Sequence, residues 1–225
     1  MLRNGEPGGP RIIFVHGTPG SADGWLDYLV QPPAGTEVLA LDRPGFGQSG
    51  PPGPVVSLAA QAAAVVALLP KDNRRTVLVG HSLGGAVVAQ VAAEPPERVH
   101  ALVLLASSLD PAQESVLAVQ RVAEWPPVRA LLPRALRNAN AELMAFEAEL
   151  RALAPLLPRI RAAVLIVHGT QDQLVPAANV PYMQAGLTGA RCVHTVMLEG
   201  LNHFLPWNSE ASVRGALRRA LGDTC

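Results

Sequence analysis

Lysine is all but missing from this chain: Lys71 is the only one, and arginine carries the rest of the basic charge, a bias we read as genomic. An excess of either sign is missing too. Lys plus Arg and Asp plus Glu each number 18, so nothing marks a nucleic-acid or anionic-membrane partner. Cysteine is scarce: Cys192 falls in an expected strand and Cys225 is the last residue, so no structural disulfide is expected. Cys and His nowhere gather at metal-ligand spacing, which leaves no candidate metal site. No apolar run approaches the roughly 20 residues of a membrane span. Residues 1–10 are polar and Gly/Pro-rich, without the apolar core of a signal peptide. The expectation is a soluble cytoplasmic protein.

What the chain does have is apolar mass. Hydrophobic residues make up 49% and charged residues 16% of 225, enough to bury a sizeable core and too apolar for disorder. Short apolar runs recur at 11–15, 37–41, 76–79, 99–106, 162–167 and 191–198. They read as buried strands. Helical stretches at 21–30, 57–69, 83–94, 177–187 and 209–221 alternate with them, and Ser21 is a candidate N-cap. Strands alternating with helices predict an α/β fold with a doubly wound, mostly parallel sheet of about six strands. From 107 to 158 the rhythm breaks into helical segments near 111–124, 127–137 and 140–153. We expect one domain, with a core of 1–106 and 159–225 and a helical cap insertion of about 107–158.

The chemistry centres on Gly80-His81-Ser82-Leu83-Gly84. A bare Gly-x-Ser-x-Gly arises by chance in roughly one chain in ten of this length, but here a strand precedes it and a helix follows. That order is a nucleophile elbow: the turn strains Ser82 and pushes its hydroxyl out above the strand. Side chains at Gly80 and Gly84 would collide with so tight a turn.

A serine hydroxyl needs a base within reach and an acid to orient that base. In a parallel sheet the partners should follow later strands, at the same rim. Asp172 follows the fifth strand and His203 the last, giving the chain order Ser, Asp, His. Asp110, just past the fourth strand, is the rival acid, and Asp42 reads as an organiser of its own Pro/Gly loop. Among the other histidines, His16 reads as a loop brace, His168 as a core group bonded to backbone, and alternation points His81 away from Ser82. A tetrahedral oxyanion needs two N–H donors. Leu83 supplies one, and Thr18, between Gly17 and the donor-less Pro19, is the natural second.

His16-Gly17-Thr18-Pro19-Gly20, Asp42-Arg43-Pro44-Gly45-Phe46-Gly47-Gln48-Ser49, Gly80-His81-Ser82-Leu83-Gly84-Gly85, His168-Gly169-Thr170-Gln171-Asp172 and Asn202-His203-Phe204 together resemble the α/β-hydrolase superfamily. Small bacterial esterase-like members are the nearest type. The resemblance spans nearly the whole chain. It implies Ser82 as nucleophile, Asp172 as acid, His203 as base, and the Thr18 and Leu83 N–H groups as oxyanion donors. One departure stands out: only ten residues precede the strand before His16, so the usual N-terminal hairpin is expected to be reduced or absent.

In the helical block, Trp125, Leu132, Leu143, Met144 and Phe146 have the spacing of an apolar face. Trp125, Met144 and Phe146 are candidate pocket residues, as are Trp25, Phe46, Phe204 and Trp207 in the rim loops. The expected function is cleavage of a small or medium carboxylic ester through an acyl-enzyme, by a monomer or homodimer, with no metal or organic cofactor. Alternatives on the same triad are carbon–carbon bond hydrolysis, lactone opening, a peroxidase-like activity or a lyase reaction. A ligand-binding receptor in a hydrolase shell is the reading from another class.

Overall fold

The apolar runs become the centre of a sheet. In the computed structural model, which describes residues 1–222, seven strands are β1 (Leu2–Gly5), β2 (Arg11–Val15), β3 (Glu37–Leu41), β4 (Thr76–His81), β5 (Ala101–Leu105), β6 (Ala163–Gly169) and β7 (Cys192–Leu198). Their order across the sheet is β1-β3-β2-β4-β5-β6-β7. All neighbours run parallel except β1, which pairs antiparallel with β3, Leu2 facing Ala40 and Gly5 facing Glu37. The structure thus adds one strand to the six read from the sequence. Leu2-Arg3-Asn4-Gly5 lacks an apolar run because it is a short edge strand whose middle residues, Arg3 and Asn4, are exposed.

The central strands are buried on both faces, as parallel strands covered by helices must be. Ile13, Val15, Leu78, Leu102, Leu104 and Ile166 point to one face, and Ile12, Phe14, Val77, Val79, Val103 and Leu105 to the other. The helices are α1 (Leu26–Val30), α2 (Leu58–Val66), α3 (Leu83–Ala93), α4 (Ala118–Ala123), α5 (Pro126–Leu131), α6 (Arg134–Leu153), α7 (Asn179–Gly186), α8 (Leu205–Asn208) and α9 (Glu210–Leu221). Apolar residues of α2, α3, α6 and α7 cover the first face; those of α1, α8 and α9 help cover the second.

The expected breaks between 107 and 158 fall differently. Leu132-Pro133 ends α5, and a single helix then runs from Arg134 to Leu153 through the gap expected at 138–139. The Ser21 side chain makes no capping bond, and residues 22–25 form a 3-10 turn instead.

Successive strands β2 and β3 lie to one side, and the chain then returns to place β4 on the other side of β2. The carboxyl ends of β2 and β4 therefore flank the point where strand order reverses, the usual crevice for ligands in such sheets. Both ends lead into the segments singled out from the sequence.

At the opposite end one expectation fails. Cys192 is disulfide-bonded; Cys225 lies outside the described residues. The topology explains the failure. Helix α9 runs back toward the strand starts, where Arg75 bonds Leu221 O at 3.0 Å and His100 lies 3.3 Å from Gly222 O. Position along the chain does not reveal that the end of α9 lies beside the strand starts, one of which Cys192 opens.

Candidate active site

Strand β4 stops at His81, and Ser82 turns the chain into α3 with φ 56° and ψ −128°. A non-glycine residue rarely holds a positive φ, and here it costs on the order of 1–3 kcal/mol. The surroundings hold it: Ser82 N–H bonds Leu105 O at 3.0 Å and Gly85 N–H bonds Ser82 O at 2.9 Å. A Cβ on Gly80 would stand 2.4 Å from Gly84 O, so the turn admits no side chain there.

Across the rim, His203 Nδ1 lies 2.8 Å from Asp172 Oδ2. The other carboxylate oxygen accepts the N–H groups of Leu174 at 2.9 Å and Val175 at 2.8 Å. Burial pushes the Asp172 carboxyl up, but His203 and these N–H groups outweigh it and hold the carboxyl below the ordinary value. With Nδ1–H given to Asp172, His203 keeps Nε2 for another partner. Asp110 is not at this histidine: it caps Ala112 N–H at 2.9 Å. Asp42 accepts from Gln48 N–H at 3.0 Å in its own loop and from Ala22 N–H at 2.8 Å in the turn after β2, so it ties two loops together rather than organising one.

Ser82, His203, Thr18 and Leu174 border two cavities of about 400 and 410 Å³. The first is walled by the 16–21 loop, Trp25, Phe204 and Trp207. The second carries Leu83, Phe146 and Leu143 beside polar Ser108, Gln113, Glu114 and Gln120. Burial raises the Glu114 carboxyl, against a hydrogen bond from Ser108. That polar wall was not anticipated, because its residues come from a stretch with no motif. The loop from β2 crowds the elbow: a Cβ on Gly17 would sit 2.8 Å from that of Ser82. Among the described residues, no protein group accepts from Thr18 N–H.

Other placements depart from expectation. Trp125 is 62% exposed, and neither it nor Met144 borders either cavity. The face that α6 packs inward is Asn138, Glu142, Phe146 and Leu150, which turns Met144 aside. Phe46 is buried against His16 and the Arg43 guanidinium, away from both cavities. The His81 ring is not turned away from the site. Its Nε2 lies 3.0 Å from His203 O, and the two ring centres are 4.7 Å apart with the planes tilted by 46°. The elbow breaks strand alternation at Ser82, so a period of two does not carry across it. Burial, and then the neighbouring His203, lower the His81 pKa to about 4, so the ring is neutral and its Nε2–H donates.

The family model for the alpha/beta hydrolase fold matches residues 10–154, and the chain belongs to that family. It is 29% identical over 231 residues to a pimeloyl-acyl-carrier protein methyl ester esterase of Aeromonas hydrophila, covering 87% of this chain and 89% of that one. It is also 29% identical over 231 residues to the dihydrolipoyllysine-residue acetyltransferase component of the acetoin cleaving system of Cupriavidus necator. That alignment takes in 88% of this chain and only 62% of the longer relative. Among solved structures, the monoacylglycerol lipase of Paleococcus ferrophilus superposes with a TM-score of 0.78 at 19% identity, covering 98% and 97% of the two chains. At that identity the likeness is one of fold. Among the described residues, no helix is long and apolar enough to cross a membrane.

Proposed function

We propose that the protein is a serine hydrolase that cleaves small or medium carboxylic esters by acyl transfer. The observation that carries this is the 2.8 Å bond from His203 to Asp172 beside a serine held at positive φ, with Ser82 and His203 on the same cavities. Asp172 holds His203 in the tautomer with Nε2 bare. His203 takes the Ser82 proton as the hydroxyl attacks the ester carbonyl. The N–H groups of Thr18 and Leu83 receive the oxyanion. His203 then protonates the departing alcohol, and water activated by His203 frees the acid. No step calls for a cofactor.

The segment 107–158 acts as a cap: α6 supplies Leu143 and Phe146 to the second cavity. Cavities of about 400 Å³ have room for small or medium acyl chains, and the esterase relative supports carboxylic esters as the substrate class.

The test is p-nitrophenol release from acetate, butyrate and octanoate esters by wild type and by Ser82→Ala. The expected result is turnover by wild type, with the chain-length profile sizing the pocket, and a loss of about 10⁴-fold or more in the variant. Equal turnover by both would remove Ser82 from the chemistry. Labelling of Ser82 by a fluorophosphonate, with no ester turned over, would transfer the triad to carbon–carbon or lactone substrates.

A further inference from the structure

Arg43 and Glu142 lie 99 residues apart in the chain, and their side chains are 0% and 2% exposed. Arg43 Nη1 meets Glu142 Oε1 at 2.7 Å and Nη2 meets Oε2 at 3.0 Å, a two-pronged ion pair. Gln61 Nε2 adds a third bond to Glu142 Oε1 at 3.1 Å. The guanidinium is not consumed by that pair. Its Nε donates to His16 O at 2.9 Å and its Nη2 to Gly17 O at 3.0 Å. Arg43 N–H donates to His16 Nε2 at 3.0 Å. An Nε2 that accepts leaves the imidazole proton on Nδ1, and Nδ1 lies 2.7 Å from Gly17 O. Gly17 O therefore receives two donors, one of them cationic.

Gly17 C=O belongs to the same peptide group as Thr18 N–H. That peptide is trans, so its N–H points opposite to its carbonyl. Anchoring the carbonyl on one side aims the N–H to the other, where Thr18 borders the Ser82 cavities. A cation on the carbonyl oxygen also polarises the peptide and strengthens its N–H as a donor.

We propose that Arg43 is the positioning residue for the Thr18 oxyanion donor, and that Glu142 couples that donor to helix α6. This rests on the reading of Thr18 as an oxyanion donor. A buried ion pair adds little stability over apolar residues of like volume. Catalytic positioning gives this chain a use for one.

The test follows from that contrast. Arg43→Met with Glu142→Leu removes both charges together and leaves neither unpaired. Four readouts are needed: thermal midpoint, KM and kcat on p-nitrophenyl butyrate, the phosphonylation rate of Ser82, and inhibition by a trifluoromethyl ketone, whose serine adduct carries an oxyanion. We expect a folded variant with KM within about threefold of wild type. Its kcat and phosphonylation rate should both fall about 10- to 100-fold. The trifluoromethyl ketone should weaken by the same factor, and the non-fluorinated ketone should not weaken. A folded variant with wild-type kcat, phosphonylation rate and ketone affinity overturns the proposal.

Should the double variant fail to fold, Arg43→Lys takes its place. An ammonium keeps the charge but cannot span Glu142 and two carbonyls, so kcat and phosphonylation should fall about 10-fold at unchanged KM. Unchanged rates sink the idea equally. Wild type that phosphonylates but turns over no ester removes the ester reading, while the phosphonylation comparison still decides the role of Arg43.

Discussion

At the scale of single residues, the site is a set of groups whose freedom has been removed. Ser82 is held at φ 56° between a strand and a helix. Asp172 has its oxygens divided between His203 and two backbone N–H groups. A carboxylate so placed stays ionised and cannot rotate away from the ring. Asp172→Asn keeps the shape but offers His203 a neutral partner that can favour the wrong tautomer. It is expected to lower kcat by about 10³- to 10⁴-fold with KM little changed. Asp110→Asn, in a group that caps Ala112 N–H and accepts from Gln113 Nε2 away from His203, should leave kcat within about twofold. Steady-state kinetics on the pair checks the assignment, and the reverse ranking would make Asp110 the acid.

At the scale of elements, the strongest anchoring falls where strands begin. Glu37 opens β3, is fully buried, and receives Arg11 from β2 at 2.7 Å and Arg74, just before β4, at 3.3 Å. Arg3 of β1 pairs with it as well. One carboxylate thus gathers the starts of β2, β3 and β4 and ties them to antiparallel β1, the strand that closes this edge. Glu37→Ala strands that arginine cluster around a void and should cost about 3 kcal/mol. Urea unfolding would register this as a lower midpoint. Activity per folded molecule should hold, because the site lies at the other end of the strands.

Helix α6 makes a related point. Asn138, Glu142, Phe146 and Leu150 recur every four positions among the residues it buries, yet the first two of these are polar. Asn138 bonds Gly45 O at 2.8 Å, and Glu142 takes Arg43. A search for an apolar stripe selects Leu143, Met144 and Phe146 and passes over Asn138 and Glu142, because it has no means to see a polar residue satisfied by a distant loop.

At the scale of the whole molecule, folding buries several histidines in neutral form. Burial, and then the neighbouring Arg43, lower the pKa of His16 to about 3. His81 falls to about 4, and burial lowers His168 in the same direction. Each group binds its proton more readily in the unfolded chain, near the ordinary 6.5. Their stabilising contribution is therefore complete above about pH 6.5. It is lost progressively as the pH falls toward the folded values. At pH 5 the loss is about 2 kcal/mol for each of His16 and His81. Thermal midpoints should be flat from pH 7 to 8 and drop by several degrees at pH 5. His81→Gln should flatten that slope, and an unchanged slope would mean that His81 is not the group titrating.

The division between sequence and tertiary structure runs along these same residues. Local order along the chain determined the parallel sheet, the elbow, and the loops holding Thr18, Asp172 and His203. Each depends on a short-range rule: an apolar run must be buried, and a strand-glycine-serine-glycine-helix turn can close in few ways. The partners of those loops were decided only in three dimensions. Strand β1, the disulfide at Cys192, the ring of His81 beside His203 and the Arg43–Glu142 pair all join segments distant in sequence. Polar residues carry no periodic signal of where their partner lies. Hydrogen bonds and ion pairs are chosen by distance and direction, and these exist only once the chain has packed.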